Sequence, residues 1–288
     1  MKKLYIIFTV ALVLSSCYKS ELTNTTHPLT GQILVDAILF DSALPTNDFT
    51  VELDGNIYSS SSNGIATLPD TLSPGTHTIH VYSNGEGTSV KAGIATVDMA
   101  DNTFLRHDPE HLYFCSQEIT VTADAVLKFT ASLNQVTGTL HLNLAITEGD
   151  PNHIISSYAT ISGISNTWDC IADSDISSSS SVIAPTITQG ASLTKSSDNN
   201  YLTATIQTLG ASGLEQILTI EMLLIDGRVQ SSICDITSYL STLVADKPTP
   251  VIFGGDVSIP TTIEGNMTIT PWEEGDGFNG DVFETTNN

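Results

Sequence analysis

Apolar side chains recur at every second position over much of this chain, and that period limits what it can fold into. In residues 32–40, Ile33, Val35, Ala37 and Leu39 alternate with Leu34, Asp36, Ile38 and Phe40. A period of two places the two sets on opposite faces of an extended strand, with at least one face buried. Phe49, Val51 and Leu53 repeat the pattern, and Asp54-Gly55 follows as a hairpin turn signal. Pro74-Gly75 launches residues 76–82, where His77, Ile79 and Val81 oppose Thr78, His80 and Tyr82. A further strand is expected over 89–97, and 98–116 reads as irregular. Two alternating runs then meet, Leu127, Phe129, Ala131 and Leu133 before Leu140, Leu142, Leu144 and Ile146.

The pattern continues at 154–162, 201–209, 217–225, 251–259 and 266–272, with a serine-rich loop at 177–181. One segment departs from it. After Asp235, a capping residue, Ile236, Tyr239, Leu240 and Leu243 fall at helical spacing, and Pro248 and Pro250 prevent continuation. Short strands separated by glycine, proline and asparagine turns describe an all-β chain of sandwiches or barrels with one short helix. At 288 residues the chain exceeds the usual single-domain size. Two domains are therefore expected, 27–134 and 135–272, with the boundary in the interval between the two adjoining runs.

The first seventeen residues obey a different rule. Lys2 and Lys3 precede an apolar run from Leu4 to Leu14, and Ser15 and Ser16 lead into Cys17. This is the order of an export signal, too short to remain as a membrane-spanning helix. Leu14-Ser15-Ser16-Cys17 resembles the lipobox of bacterial lipoproteins, which implies removal of residues 1–16 and lipid on Cys17. Several acyl chains anchor stably where one holds only marginally. Residues 17–26 read as a polar tether and 273–288 as an acidic tail. An ordinary secretory signal with an incidental cysteine is the alternative.

Charge narrows the partners. There are 32 acidic and 9 basic residues, and loss of the signal leaves 7 basic ones, for a net charge of −25. Nucleic acid and anionic membrane surfaces would be repelled, because phosphate binding needs lysine and arginine clusters. Cys115, Cys170 and Cys234 have no close spacing, make no zinc pattern, and are expected as buried free thiols, with one disulfide plus one free thiol as the alternative.

Catalytic signatures are missing: there is no Gly-x-Ser-x-Gly elbow, phosphate-cradling glycine loop or His-Glu-x-x-His pair. No enzymatic activity, cofactor or metal is expected. His107, Asp108, Glu110 and His111 offer metal-binding side chains, but Pro109 interrupts them and an exposed loop is preferred. The acidic stretches 169–175 and 273–281 lack the ligand spacing of a dedicated calcium loop. His77, His80 and His141 read as ordinary sheet residues.

Several pieces occur in a collinear order: His27-Pro28-x-x-Gly31, Phe49-Thr50-Val51-Glu52-Leu53-Asp54-Gly55, Pro74-Gly75-Thr76 before Tyr82-Ser83-Asn84, and Phe129-Thr130-Ala131-Ser132-Leu133. Ala159-Thr160-Ile161-Ser162-Gly163-Ile164, Asp235-Ile236-Thr237 and Ile269-Thr270-Pro271-Trp272 follow. With the lipobox, this order resembles the fimbrillin-associated anchor and minor fimbrial subunit lipoproteins of the Bacteroidales, the FimB-type family. The resemblance implies two tandem transthyretin-like β-sandwiches, an outer-membrane lipid anchor on Cys17, fimbrial subunits as partners, and assembly by β-strand exchange in support of adhesion.

The donor candidates in that scheme are Met267, Ile269, Trp272, Phe278, Val282 and Phe283. The same segment also reads as the last strand of the second domain followed by a frayed end. The competing function is a non-polymerising surface lipoprotein that binds glycan or host protein. A glycan binder should expose aromatics, for which Trp168 and Trp272 are the available tryptophans.

Overall fold

The computed structural model describes residues 31–39, 48–60, 64–68, 72–100, 105, 108–175, 187–198, 200–212, 215–245, 247–260 and 266–272. Over these residues it is all-β with one short α-helix, as the period-two pattern requires. The signal, Cys17, the tether, His107, the serine-rich loop and the acidic tail lie outside the described residues.

In the first half, β1 (Gln32–Leu39) pairs in parallel with β9 (Val126–Gln135), residue for residue from Gln32 with Val126 to Leu39 with Leu133. The same sheet continues on the other side of β9 through β8 (Tyr113–Val121), β5 (Gly75–Ser83), β2 (Phe49–Leu53) and β3 (Asn56–Ser59), while β4 (Ala66–Thr67) borders β1. Joining β8 to β9 through only Tyr113–Gln135 and Phe114–Asn134 lets the seven-stranded sheet fold over its own core. Ile33, Val35, Phe49, Val51, Ile79, Val81 and Leu133 meet there with no solvent exposure. The alternation in β1 is obeyed: Ile33 and Val35 are sealed, and Asp36 is exposed.

β2 departs from alternation, because all five of its residues are buried. Its second face is covered, and the Glu52 carboxylate accepts the Ala92 N–H at 2.9 Å. Residues 98–116 are less irregular than their composition suggests. β8 already begins at Tyr113, and Leu105, Leu112 and Phe114 are buried in the core of the second half.

In the second half, β10 (Gly138–Glu148) is central. It pairs antiparallel with β16 (Tyr201–Thr208) and in parallel with β19 (Val251–Ser258). β15 (Thr194–Lys195) and β20 (Thr268–Pro271) form the edges of this five-stranded sheet. A four-stranded sheet runs β14 (Ile187–Ser192), β11 (Ile154–Ile164), β17 (Ile217–Leu224) and β18 (Val229–Asp235). Leu140, Leu142, Leu144, Ile220, Met222 and Phe253 build the shared core. The helix α1 (Thr237–Ala245) is anchored by the Asp235 carboxylate, which accepts the Thr237 N–H at 2.9 Å. Ile236, Leu240 and Leu243 are fully buried, and Tyr239 meets Phe253 edge-on.

A fourth small sheet joins the two halves. Its order is β13 (Ser174–Asp175), β12 (Thr167–Asp169), β7 (Ile94–Val97) and β6 (Thr88–Lys91). Ala95 and Val97 from the first half thereby enter the core of the second. Among the described residues no helix is long and apolar enough to cross a membrane.

Candidate functional site

Two regions gather chemistry: the C-terminal edge of the second half and the junction between halves. At the edge, β20 pairs antiparallel with β19 over four residue pairs, Gly255–Pro271 to Ser258–Thr268. Met267 is buried and Ile269 packs against the core. Trp272 lies over Gly254, where a Cβ would come within 2.1 Å of the indole. The indole N–H donates to Asp256 at 2.7 Å, the Trp272 backbone N–H donates to the Gly254 carbonyl at 3.0 Å, and the Tyr239 hydroxyl donates to the Trp272 carbonyl at 3.0 Å. Three of the six donor candidates are therefore together at one edge of their own sheet, Ile269 on β20 and Met267 and Trp272 at its two ends. Phe278, Val282 and Phe283, like Cys17, lie outside the described residues.

At the junction, Trp168 of β12 is buried, and Lys247, in the turn after α1, stands 3.5 Å above its ring. Asp173 joins the two, accepting from the indole N–H at 3.0 Å and from the Lys247 ammonium at 3.1 Å. Lys247 is itself buried, and desolvation pushes its ammonium down to about 8 against the opposing pull of Asp173. Burial likewise pushes the Cys170 thiol up to about 12, so it stays protonated and unreactive at neutral pH. An adjoining cleft of about 390 Å3 is lined by Phe114, Cys115, Asn134, Gln135, Cys170 and Asp173. Cys115, Cys170 and Cys234 carry free thiols, each half-buried rather than fully enclosed.

The Lys247 environment makes stability pH-dependent. Unfolding returns the amine to its ordinary value near 10.5, so between pH 8 and 10.5 the unfolded chain binds more protons than the folded one. Stability should therefore rise with pH across that window, by up to about 3 kcal/mol. The Lys247→Met variant should lack that rise when both proteins are unfolded in urea at pH 7.5 and pH 10. Parallel profiles would show that Lys247 is not the group responsible.

The histidines are engaged individually. His111 is placed against Gln135 and Gln207, and Asp108 accepts from Gln189 at 2.7 Å, so they do not converge on one point. His77 is more than an ordinary sheet residue: it pairs with Asp54 at 2.5 Å, and this hydrogen bond raises its pKa. In the acidic stretch 169–175, Asp169 accepts from the Ile171 and Ala172 N–H groups, and Asp173 is engaged by Trp168 and Lys247. Among the described residues no group of three or more histidine, cysteine or acidic side chains is positioned to hold a metal.

The model of the fimbrillin-A associated anchor proteins, Mfa1 and Mfa2, matches residues 45–276. That span includes the second core, the junction, β20 and the first core apart from the β1 residues Ile33, Val35 and Ala37. The chain belongs to this family. It is thus a fimbrial-type protein of the cell surface. No curated protein sequence matches it. Among solved structures, the fimbrial anchor Mfa2 of Porphyromonas gingivalis is similar at a TM-score of 0.52 and 12% identity, covering 84% of this chain and 96% of that one. A candidate adhesin of Bacteroides ovatus matches at 0.53 and 17% identity, covering 84% and 93%. A candidate polysaccharide-binding protein of Bacteroides thetaiotaomicron matches at 0.51 and 10%, covering 80% and 92%. At these identities the likeness is one of fold.

Sequence reading of this anchor-family chain missed β12 and β14 and two further features. One is the Trp168–Lys247 contact, whose partners are 79 positions apart with no local signal linking them. The other is β18. Its signal is weak because serines interrupt the apolar residues, yet Val229, Ser231 and Ile233 do alternate with Gln230 and Ser232.

Proposed function

We propose that this chain is a lipid-anchored fimbrial anchor or minor subunit, attaching or joining surface fimbriae by β-strand exchange and so supporting adhesion. The observation that carries the reading is the anchor-family match over residues 45–276, combined with the lipobox ending at Cys17. Lipid on Cys17 would hold the protein in the outer membrane, and its partners are fimbrial subunits.

Strand exchange works because an incoming strand satisfies unpaired backbone groups and fills apolar pockets at once. Met267, Ile269 and Trp272 fit a donor role in that their strand is short, lies at a sheet edge and is held through four residue pairs. Phe278, Val282 and Phe283 extend the same segment. The glycan-binding alternative is less well supported, because Trp168 is buried under Lys247 and Trp272 is committed to Gly254 and Asp256.

Envelope fractionation and native pull-down test the two parts separately. Cys17→Ala should leave the signal uncut and abolish acylation and stable membrane retention; a variant that stays acylated and membrane-bound would remove the lipid anchor from the proposal. Deletion of 275–288 should abolish copurification of fimbrial subunits. Unchanged copurification would rule out the tail as donor.

A further inference from the structure

The four-stranded sheet ends on β18, which pairs with β17 on one side only among the described residues. The Leu224 N–H donates to the Arg228 carbonyl at 2.8 Å and the Ile236 N–H donates to the Gln216 carbonyl at 3.0 Å, so these two pairs bracket the β17–β18 ladder. Bonded and unbonded pairs alternate along an antiparallel ladder. Gln230, Ser232 and Cys234 therefore bond to β17, while Val229, Ser231 and Ile233 turn their N–H and C=O groups outward. The side chains of those same three residues are exposed, Val229 at 63% and Ile233 at 69%. An open edge with exposed β-branched side chains is a template for one more strand.

This edge is complementary to itself. Laid antiparallel against a second copy about a two-fold axis at Ser231, Val229 faces Ile233, Ser231 faces Ser231, and Ile233 faces Val229. All three are outward-bonding positions, so both copies satisfy their free backbone groups in one register. Within its own sheet Val229 already stands across from Leu223 and Ile233 across from Thr219. The join extends these pairs into two rows, each running Leu223, Val229, Ile233, Thr219 across both copies. Charge agrees with the register in spite of the acidic chain: Asp235 faces Gly227, Arg228 faces Cys234, and Asp226 is neutralised by Arg228 at 2.6 Å. Moving the axis to Ser232 would set Val229 against Asp235, and moving it to Gln230 would set Ile233 against Gly227. An axis between residues would turn facing side chains to opposite faces of the sheet.

We propose that β18 is a homodimer surface, on which a second copy of this chain adds its own β18 and joins two four-stranded sheets into one of eight strands. The contact is isologous and uses up the edge of both copies, so it closes at two and does not propagate into a fibre. One strand pair is small beside the roughly 1,200 Å2 of a standard stable interface, which makes the dimer reversible and concentration-dependent. It requires neither lipid on Cys17 nor a fimbrial partner.

The chain from Tyr18 to Asn288 tests this, because it keeps every described element while neither lipid nor the Cys17 thiol can join copies. A bonded antiparallel pair holds its Cα atoms about 5.5 Å apart, within reach of a disulfide. Ser231→Cys should therefore give a disulfide-linked dimer under mild oxidation, at least tenfold faster than Ser232→Cys or the unaltered chain, whose Cys115, Cys170 and Cys234 set the background. Sedimentation velocity of the unaltered chain should show a reversible monomer–dimer equilibrium, weakened at least tenfold by Ile233→Lys. Ser231→Pro should weaken it as much, since it removes an outward N–H that the chain's own sheet does not use. A monomer at every concentration without selective cross-linking would overturn the proposal and leave β18 open to a strand of another protein. Equal cross-linking at 231 and 232, or a dimer that Ile233→Lys and Ser231→Pro leave unchanged, would also overturn it. Copurification of fimbrial subunits is a separate measurement, so failure of either reading is seen without the other.

Discussion

Trp168→Ala is expected to cost about 4 kcal/mol of folding stability, the middle of the range for loss of a buried aromatic. The ring is almost wholly enclosed, and it packs so closely over Gly210 that a Cβ there would come within 2.7 Å of it. Truncation opens a cavity between the second core and the small sheet that ties the halves together. It also removes the π face beneath Lys247 and the indole donor to Asp173, leaving a buried ammonium with one partner that is itself largely exposed. Uncompensated buried charge is costly. Adding Lys247→Met should therefore recover part of the loss, at least about 1 kcal/mol, whereas independent sites would give additive losses. Trp168→Phe keeps the packing but lacks the N–H and should cost about half as much as alanine or less. Urea unfolding followed by far-ultraviolet circular dichroism measures these three variants and the Lys247→Met single variant. A loss below about 1 kcal/mol for alanine would mean that the halves do not rely on this contact.

The second large effect is expected at Gly163. It sits where the pairing of β11 with β14 shifts register, with φ +78. A Cβ would lie 2.4 Å from the Glu215 carbonyl oxygen, a backbone atom that cannot rotate away. Its own carbonyl accepts from the Ser212 N–H, the Ser212 hydroxyl and the Gln216 side chain. Gly163→Val should combine left-handed strain of about 1–2 kcal/mol with a forced displacement of this network, for a total above about 3 kcal/mol. Gly227 provides the control. Its φ is similar at +84 but nothing lies within 4 Å of a Cβ there, so Gly227→Ala should cost only the strain. Comparable losses at the two sites would show that the close approach to Glu215 is unimportant.

Much of the strand content was legible because burial of one sheet face imposes period two on the chain. Ile33, Val35 and Ala37 were assigned to one face and are sealed. The helix after Asp235 was legible for the corresponding reason, and Ile236, Leu240 and Leu243 are buried. Periodicity fails where both faces are covered, as in β2, or where serine dilutes the apolar row, as in β18. It also underestimated 98–116, whose Leu105, Leu112 and Phe114 are too widely spaced to signal a strand yet are drawn into the distant core. Gly163 was visible as part of a motif, but its reason, a carbonyl contributed from 52 residues away, was not.

The sequence by itself determined the class: an all-β chain with one capped helix, a strongly acidic balance that disfavours phosphate-bearing partners, and a collinear set of motifs whose family resemblance the match over residues 45–276 bears out. Those properties are local, carried by alternation, turn chemistry and composition along the chain. Only the tertiary structure decided which strands lie at edges, that β1 and β10 find parallel partners roughly a hundred residues later, and that Lys247 caps Trp168 where the halves meet. Long-range pairing depends on how two covered faces and their connections fit together, and periodicity records only that a face is buried, not what buries it.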